Sequence, residues 1–346
     1  VGGQIANNLA GPLYKSGYKL LGTSADAIDQ AENRQRFSAL LGKLGIDQPA
    51  WSEITTLDAA KIFAKKIGFP LIIRPSYILS GTAMNVINDD AELEKYLAAA
   101  TIVSRDHPVV ISGFITNAKE LEIDGVAVNG EIVVQAISEH FENAGVHSGD
   151  ATVVFPPQRL YLETVGRTKR IAQTIVKALA ITGPFNFQFL AKNNEIKVIE
   201  CNLRASRSFP FVSTVSNNNF ISIAIEAMLG KLPARKYETL DLPYVGVKTP
   251  QFSYQRIKGA DPIQGVEMAS TGEVACIGRD YQEAFFTSWL ATEQKIAGKN
   301  ILLSIGGDKK EKLFEAIKKL DAAGWNIFTT EGTHDFLSRR GIATNF

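Results

Sequence analysis

Cysteine is almost missing from this chain. Cys201 and Cys276 are the only two, too few and too widely spaced for a disulfide framework, so a reducing compartment fits best. The four histidines are scattered without zinc-ligand spacing. No apolar run is long enough to span a bilayer, and the opening Val1-Gly-Gly-Gln-Ile-Ala-Asn-Asn has neither a charged n-region nor an apolar h-region. A membrane is therefore not an expected partner. Charge of one sign is lacking too: 37 Lys and Arg face 36 Asp and Glu, a net +1 with no basic field to gather nucleic acid. There is no internal repeat and no low-complexity segment. Small molecules and other proteins remain as partners. The start also lacks a methionine, which reads as an excised fragment. The expected location is cytoplasmic, with mitochondria left open.

What is present is a globular composition, 45% apolar and 21% charged over 346 residues, enough for two or three domains. Residues 1–25 read as a short helix and a strand at Lys19-Leu-Leu-Gly, the tail of an upstream domain. A helical pattern runs from Ala31 to Leu44 and a second from Leu57 to Ile67, before the buried-strand signal Phe69-Pro-Leu-Ile-Ile. A helix at Asp90–Thr101 precedes strands near 108–115, 120–128 and 131–138. The loop Glu142-Asn-Ala-Gly-Val-His-Ser-Gly-Asp follows. Ile171, Ile175 and Leu179 mark one face of a helix, and a two-strand unit spans 185–202. Residues 26–230 form the main domain and 231–297 its remainder and linker. From 298 the pattern Ile301-Leu-Leu-Ser-Ile, a helix near 309–323, Asn326-Ile-Phe-Thr-Thr and a short helix reads as a βαβ opening. The fold class is α+β, with a partial α/β domain at the end.

The densest chemistry lies in 184–204. Along the first strand Phe185, Phe187 and Phe189 share one side, and Asn186 and Gln188 the other. A two-residue turn at Asn193-Asn194 would set Gln188 opposite Ile199 and mix polar with apolar. A three-residue loop, 193–195, would set Gln188 opposite Glu200 and gather Phe187, Phe189, Ile199 and Cys201, so the sequence predicts the longer loop. Its polar face would carry Gln188, Glu200, Asn202 and Arg204, which apart from the one guanidinium are hard oxygen donors suited to Mg²⁺ shared with nucleotide phosphates. A solvated hairpin face is the alternative.

Two more loops add to this. Arg74 ends a buried strand before Pro75 and Ser80-Gly81-Thr82, where a guanidinium fork either meets phosphate or caps the sheet edge. In Gly145-Val-His-Ser-Gly-Asp, small residues bracket His147 and Ser148 and offer backbone N–H groups to an anion; a structural histidine would look the same. Glu120, Glu122 and Asp124 alternate along a strand, which favours exposure of Glu120 or an acidic edge strand.

Arg74-Pro-Ser-Tyr, Glu139-His140 with Gly145-Val-His-Ser-Gly-Asp, and Ile199-Glu-Cys-Asn-Leu-Arg-Ala-Ser-Arg-Ser-Phe-Pro-Phe-Val-Ser213 together resemble the carboxy-terminal half of the carbamoyl phosphate synthetase large chain, closest to its eukaryotic members. The resemblance covers essentially the whole chain. It implies an ATP-grasp fold and an ATP-dependent ligase that phosphorylates carbamate to carbamoyl phosphate, serving pyrimidine or arginine and urea synthesis. It implies ATP and two Mg²⁺ or Mn²⁺ ions as cofactors, and as partners an amino-terminal synthetase half and a glutaminase in an oligomeric enzyme.

Residue roles follow from the same resemblance. Gln188, Glu200 and Asn202 would hold the metals. Arg74, Ile115, Glu120, Gly145, Val146, His147 and Ser148 would contact the nucleotide, and Arg204 and Arg207 the transferring phosphate. His140 and Glu142 would lie near a K⁺ site. Residues 300–346 resemble the opening of a methylglyoxal synthase-like effector domain, with Lys309, Thr330 and Thr333 at an anion-binding end, or with the threonines as plain helix caps. Three positions depart from the pattern: Gly113 in place of Lys or His, Asn33 in place of Asp, and Thr214 in place of Lys. Two rival readings are another ATP-grasp ligase such as a biotin carboxylase, and a non-catalytic nucleotide-binding or scaffold remnant.

Overall fold

The computed structural model describes residues 2–75, 84–103, 109–231, 237, 239, 241–252, 263–292, 296 and 298–346; Ser80-Gly81-Thr82 and Tyr77 lie outside them. Two compact units emerge, Val1–Thr292 and Glu293–Phe346.

The first unit opens with α1 (Gln4–Lys15). The strand expected at Lys19–Gly22 does not form: among the described residues no strand pairs with it, and Gly22 turns away at φ +88°. Instead Thr23 Oγ1 ties the segment to the Thr182 carbonyl at 3.0 Å. The single helix expected from Ala31 to Leu44 is two helices, α2 (Ala25–Glu32) and α3 (Arg34–Lys43). Asn33 is the cause. Its extended backbone ends α2, and its side chain accepts the Arg36 N–H to cap α3.

Next come β1 (Trp51–Ile54), α4 (Leu57–Ile67), β2 (Leu71–Pro75), β3 (Asn85–Ile87), α5 (Asp90–Val103) and β4 (Val109–Gly113). The strands form an antiparallel sheet in the order β1-β4-β2-β3. Leu71, Ile73 and Ile111 pack against Ala60 and Ala64 of α4 and Leu93 of α5.

The larger layer is built from β5 (Lys119–Val128), β6 (Glu131–Asn143), β7 (Val153–Phe155), α6 (Leu162–Ala178), β8 (Gly183–Lys192), β9 (Glu195–Asn202), α7 (Phe209–Ser216), α8 (Phe220–Met228), β10 (Val245–Gln251), β11 (Gly272–Gly278) and α9 (Tyr281–Ala291). Its seven strands run in the order β11-β10-β7-β6-β5-β8-β9. The chain crosses through α6 between β7 and β8, which leaves β5 in the middle with β6 and β8 on its two sides.

The side chains of β5 explain where the cavity lies. Leu121, Ile123 and Ala127 point into a core shared with Phe185, Phe187, Phe189 and the α6 residues Ile175 and Val176. At Gly125 the Phe185 ring crosses the strand so closely that a Cβ would sit 2.3 Å from Cζ. On the opposite face the order is Glu120, Glu122, Asp124, then Val126 and Val128, and only the two valines join the second core under α7 and α8. The acids are not exposed, as their alternation suggested, but are 6%, 3% and 0% accessible. A central strand covered on both faces has no solvent side, so Glu120 and Glu122 line an internal cavity instead, and Asp124 is fully enclosed.

The β8-β9 hairpin also differs from expectation. It closes with two residues, Asn193 and Asn194, both at positive φ (51° and 63°), and pairs Lys192 with Glu195. Gln188 still faces Glu200, because the register shifts between Phe189↔Val198 and Gln188↔Glu200, leaving Ile199 without a partner in the ladder. Ile199 is therefore a bulge residue and not part of the apolar face, where Ile196, Val198 and Cys201 pack. The polar face matches expectation, Val198 replaces Ile199 on the apolar face, and a bulge sets the register in place of a three-residue loop.

The second unit contains β12 (Asn300–Leu303), α10 (Lys309–Ala322), β13 (Asn326–Thr329) and α11 (Glu331–Ser338). β12 and β13 pair in parallel, as the βαβ pattern requires, over a small core of Ile317, Ile327, Leu337 and Ile342.

Candidate functional site

A cavity of about 770 Å³ opens in the first unit, large enough for a nucleotide and a small second substrate. Arg74 enters from the end of β2, Ile115 from beyond β4, Glu120 from β5, Gln188 from β8, and Glu200 and Asn202 from β9. Gly145, Val146, His147 and Ser148 border it, as do Arg204 and Arg207. Gly113 lines it as well. His140 and Glu142 do not. His140 is buried with Nδ1 4.0 Å from Glu120 Oε1, and Glu142 accepts the Thr152 N–H at 2.8 Å.

The bulge has a chemical consequence. With no ladder partner, the Ile199 carbonyl accepts from Arg34 at 2.9 Å and from Arg74 at 3.4 Å. Arg34 also pairs with Glu200 at 3.2 Å, and the Asn202 amide donates to Glu200 at 3.0 Å. Burial alone would raise the Glu200 carboxyl, but Arg34, the Asn202 hydrogen bond, Arg74 and Arg204 together hold it down at about 2. It is a carboxylate at any physiological pH. Arg74 loses some basicity to burial, falling to about 10, and stays charged. Its buried Nε has no hydrogen-bond partner among the described residues. An orphaned guanidinium donor facing a cavity is suited to an anionic ligand.

The loop after β6 is tightly built. The His147 N–H donates to the Gly265 carbonyl at 2.8 Å and its Nδ1 accepts from Gly149 N at 3.0 Å, while burial lowers its pKa. His147 thus braces the loop through Nδ1. Ser148 Oγ accepts from Gln188 Nε2 at 3.1 Å and links this loop to the hairpin. Asp150 fastens the far side by accepting from Ala269 N and Ser270 N at 2.8 and 2.9 Å.

Burial, followed by the charge of Glu122, pushes Glu120 up to about 8. Burial pushes His140 down to about 3. Both are neutral at pH 7, so their 4.0 Å approach is not an ion pair. Among the described residues no three His, Cys, Asp or Glu side chains cluster as a metal site. Gln188, Glu200 and Asn202 bring a single carboxylate.

Sequence reasoning missed three groups. Arg34 carried a signal, since Asn33 starts a helix whose first residue is fixed in direction. Lys248, 2% exposed and cavity-lining, stands out only as the one cation in the strand Val245–Gln251. Glu122 and Asp124 were noticed but not placed. In the second unit, neither threonine caps α11 through its side chain. Thr333 Oγ1 accepts from Ile305 N at 3.0 Å, and Thr330 Oγ1 lies 3.4 Å from Ser304 Oγ. Lys309 is exposed.

Two antiparallel sheets with a nucleotide-sized cavity define the ATP-grasp class. The biotin carboxylase–β-γ-ATP complex from Campylobacter jejuni is similar at a TM-score of 0.66 and 18% identity, covering 81% of this chain and 70% of that one. The model for "Carbamoyl-phosphate synthase L chain, ATP binding domain" matches residues 33–233, and the chain belongs to that family. It is 56% identical to multifunctional protein URA2 of Saccharomyces cerevisiae, covering 100% of this chain and 16% of that protein. It is 47% identical to the human mitochondrial carbamoyl-phosphate synthase (ammonia), covering 99% and 23%. The chain therefore spans less than a quarter of these relatives. Among the described residues no helix is long and apolar enough to cross a membrane.

Proposed function

We propose that this chain is an ATP-dependent synthetase module that phosphorylates carbamate. A carbamate oxygen attacks the γ-phosphorus of ATP, the bond to the β,γ-bridging oxygen breaks, and carbamoyl phosphate and ADP leave. The observation that carries the reading is the convergence of Arg74, Arg204 and Arg207 on one cavity with Gln188, Glu200 and Asn202. Phosphoryl transfer asks a protein mainly for position and charge neutralisation. Arg74 would hold ATP phosphates, Arg204 and Arg207 the phosphoryl group in transit, and Ile115, Glu120 and residues 145–148 the remaining nucleotide.

The donor set fits divalent metal. Gln188, Glu200 and Asn202 offer hard oxygens with one carboxylate already ionised, so phosphate oxygens complete the charge. These residues would hold two Mg²⁺ or Mn²⁺ ions, which when bound neutralise phosphate charge. A K⁺ ion beside His140 and Glu142 belongs to the same reading. Its support is buried His140 Nε2 and Glu139 Oε2, both without a hydrogen-bond partner among the described residues. The second unit would be the start of an effector domain, with Lys309, Thr330 and Thr333 at its anion-binding end. The amino-terminal synthetase half and a glutaminase would supply carbamate.

The test is the back-reaction. ATP formation from carbamoyl phosphate and ADP, with Mg²⁺, is expected for a carbamate-phosphorylating module. A folded chain that binds ADP but forms no ATP would overturn the reading in favour of a scaffold remnant.

A further inference from the structure

The proposed reaction leaves two buried carboxylates without a task. Glu122 and Asp124 lie two residues apart on one face of β5, 3% and 0% exposed, where two like charges side by side are expensive to keep. Among the described residues neither is paired with an arginine. Lys248 is the cation that acts on both, from β10. Their hydrogen bonds converge on one place. Glu122 Oε1 accepts from Ser208 Oγ at 3.2 Å, and Asp124 Oδ1 from Ser206 Oγ at 2.5 Å. Asn186 Nδ2 bridges the pair at 3.1 and 2.9 Å. The two serine hydroxyls also meet at 3.0 Å.

Ser206 and Ser208 bracket Arg207. Acids at i and i+2 on a strand thus match hydroxyls at i and i+2 on the loop after β9, a side-chain ladder where no backbone ladder runs. The two arginines on that loop are held differently. The Arg204 guanidinium bonds to Gln4 Oε1 at 2.7 Å, Asn202 Oδ1 at 3.1 Å and the Ala205 carbonyl at 3.3 Å. Among the described residues the Arg207 guanidinium makes one hydrogen bond, to Met268 Sδ at 2.8 Å. Its place depends on how the backbone beneath it is pinned.

We propose that Glu122 and Asp124 are positioning residues for Arg207, pinning the loop that carries it through Ser208 and Ser206. The proposal rests on the reading of Arg207 as a phosphate contact. Acids serve here because a carboxyl group presents two oxygens on a short stem and so accepts several donors at once. Asn186, the serines and Lys248 offset part of the cost of burying them, and within this network only Asp124 Oδ2 has no hydrogen-bond partner among the described residues.

The experiment is a double-mutant cycle between Ser206→Ala and Arg207→Ala on the full chain, followed as ATP formation from carbamoyl phosphate and ADP. Ser206→Ala is expected to lower kcat about tenfold to a hundredfold and to change KM for ADP by less than about twofold, with Ser206→Thr recovering most of the loss. In the Arg207→Ala background Ser206→Ala should add almost nothing, since the residue being placed is gone. Losses that multiply independently, or a Ser206→Ala loss that appears in ADP affinity and melting temperature alike, overturn the positioning role. If Arg207→Ala keeps full activity, the phosphate-contact reading falls first, and the proposal with it.

Discussion

At the scale of single residues, Glu200 and Glu120 show how one cavity sets two carboxyls apart. Glu200 is surrounded by Arg34, Arg74 and Arg204 and stays ionised; Glu120, beside Glu122, holds its proton. Replacing Glu200 by Gln removes charge without removing packing, so ATP formation from carbamoyl phosphate and ADP should fall by more than about a hundredfold; the fold should persist by circular dichroism, with a lowered melting temperature because the arginines lose their counter-charge. Near-normal exchange in that variant would refute the metal-ligand role. For Glu120 the outcome concerns stability. Its folded pKa of about 8 exceeds the ordinary 4.5, so the folded chain keeps a proton that the unfolded chain releases. Stability is then lost as pH rises between those values. His140, pushed from 6.5 to about 3, works in the opposite direction but only below 6.5. Glu122, raised to about 7, acts in the same direction as Glu120. Between pH 6.5 and 8 the melting temperature should therefore fall, and Glu120→Gln should flatten that slope. An unchanged slope in the variant would contradict the assignment.

At the scale of elements, the β8-β9 hairpin separates what sequence reveals from what it hides. That Phe185, Phe187 and Phe189 face a core follows from alternation, and that Gln188 and Glu200 share the other face follows from keeping polar and apolar sets apart across the hairpin. The turn was misjudged because parity was assigned to the loop, whereas Asn193 and Asn194 tolerate the left-handed backbone of a two-residue turn and Ile199 absorbs the odd residue. Bulges have no sequence signature comparable to a hairpin turn. The break at Asn33 was legible as a cap signal and overlooked; burial of Glu120 was not legible, since β5 becomes central only through the crossover of α6. Deleting Ile199 provides a test. Gln188 and Glu200 should still pair, as Val198 would lead straight into Glu200, but the carbonyl gripped by Arg34 and Arg74 would be lost. The deletion variant should keep its fold and lose about a hundredfold in kcat/KM. A variant with unimpaired turnover would show that the grip has no part in catalysis.

At the scale of the molecule, the two units differ in how much core they own. Val1–Thr292 buries several clusters, while the described residues of Glu293–Phe346 hold a core of four buried apolar side chains and a two-stranded sheet. So small a core gives a marginal unit. Calorimetry should show two transitions, the weaker lost when the chain is cut after Thr292, with the ADP-induced rise of the main transition retained. A single transition that disappears on truncation would mean that the units fold together. Because the described residues of the second unit form a sheet of two strands, uridine nucleotides and N-acetylglutamate should not bind this chain in the micromolar range by calorimetric titration.

The central position of β5 has one more consequence, for amide hydrogen exchange. Flanked by β6 and β8 and covered on both faces, the backbone of 119–128 should be among the last to exchange, at the cost of opening the whole first unit. Glu120 and Glu122, which line the cavity, would then stand on slowly exchanging backbone, while the glycine-bearing loop at 145–149 should exchange faster. Nucleotide should add protection at 145–150 and leave 119–128 as slow as before.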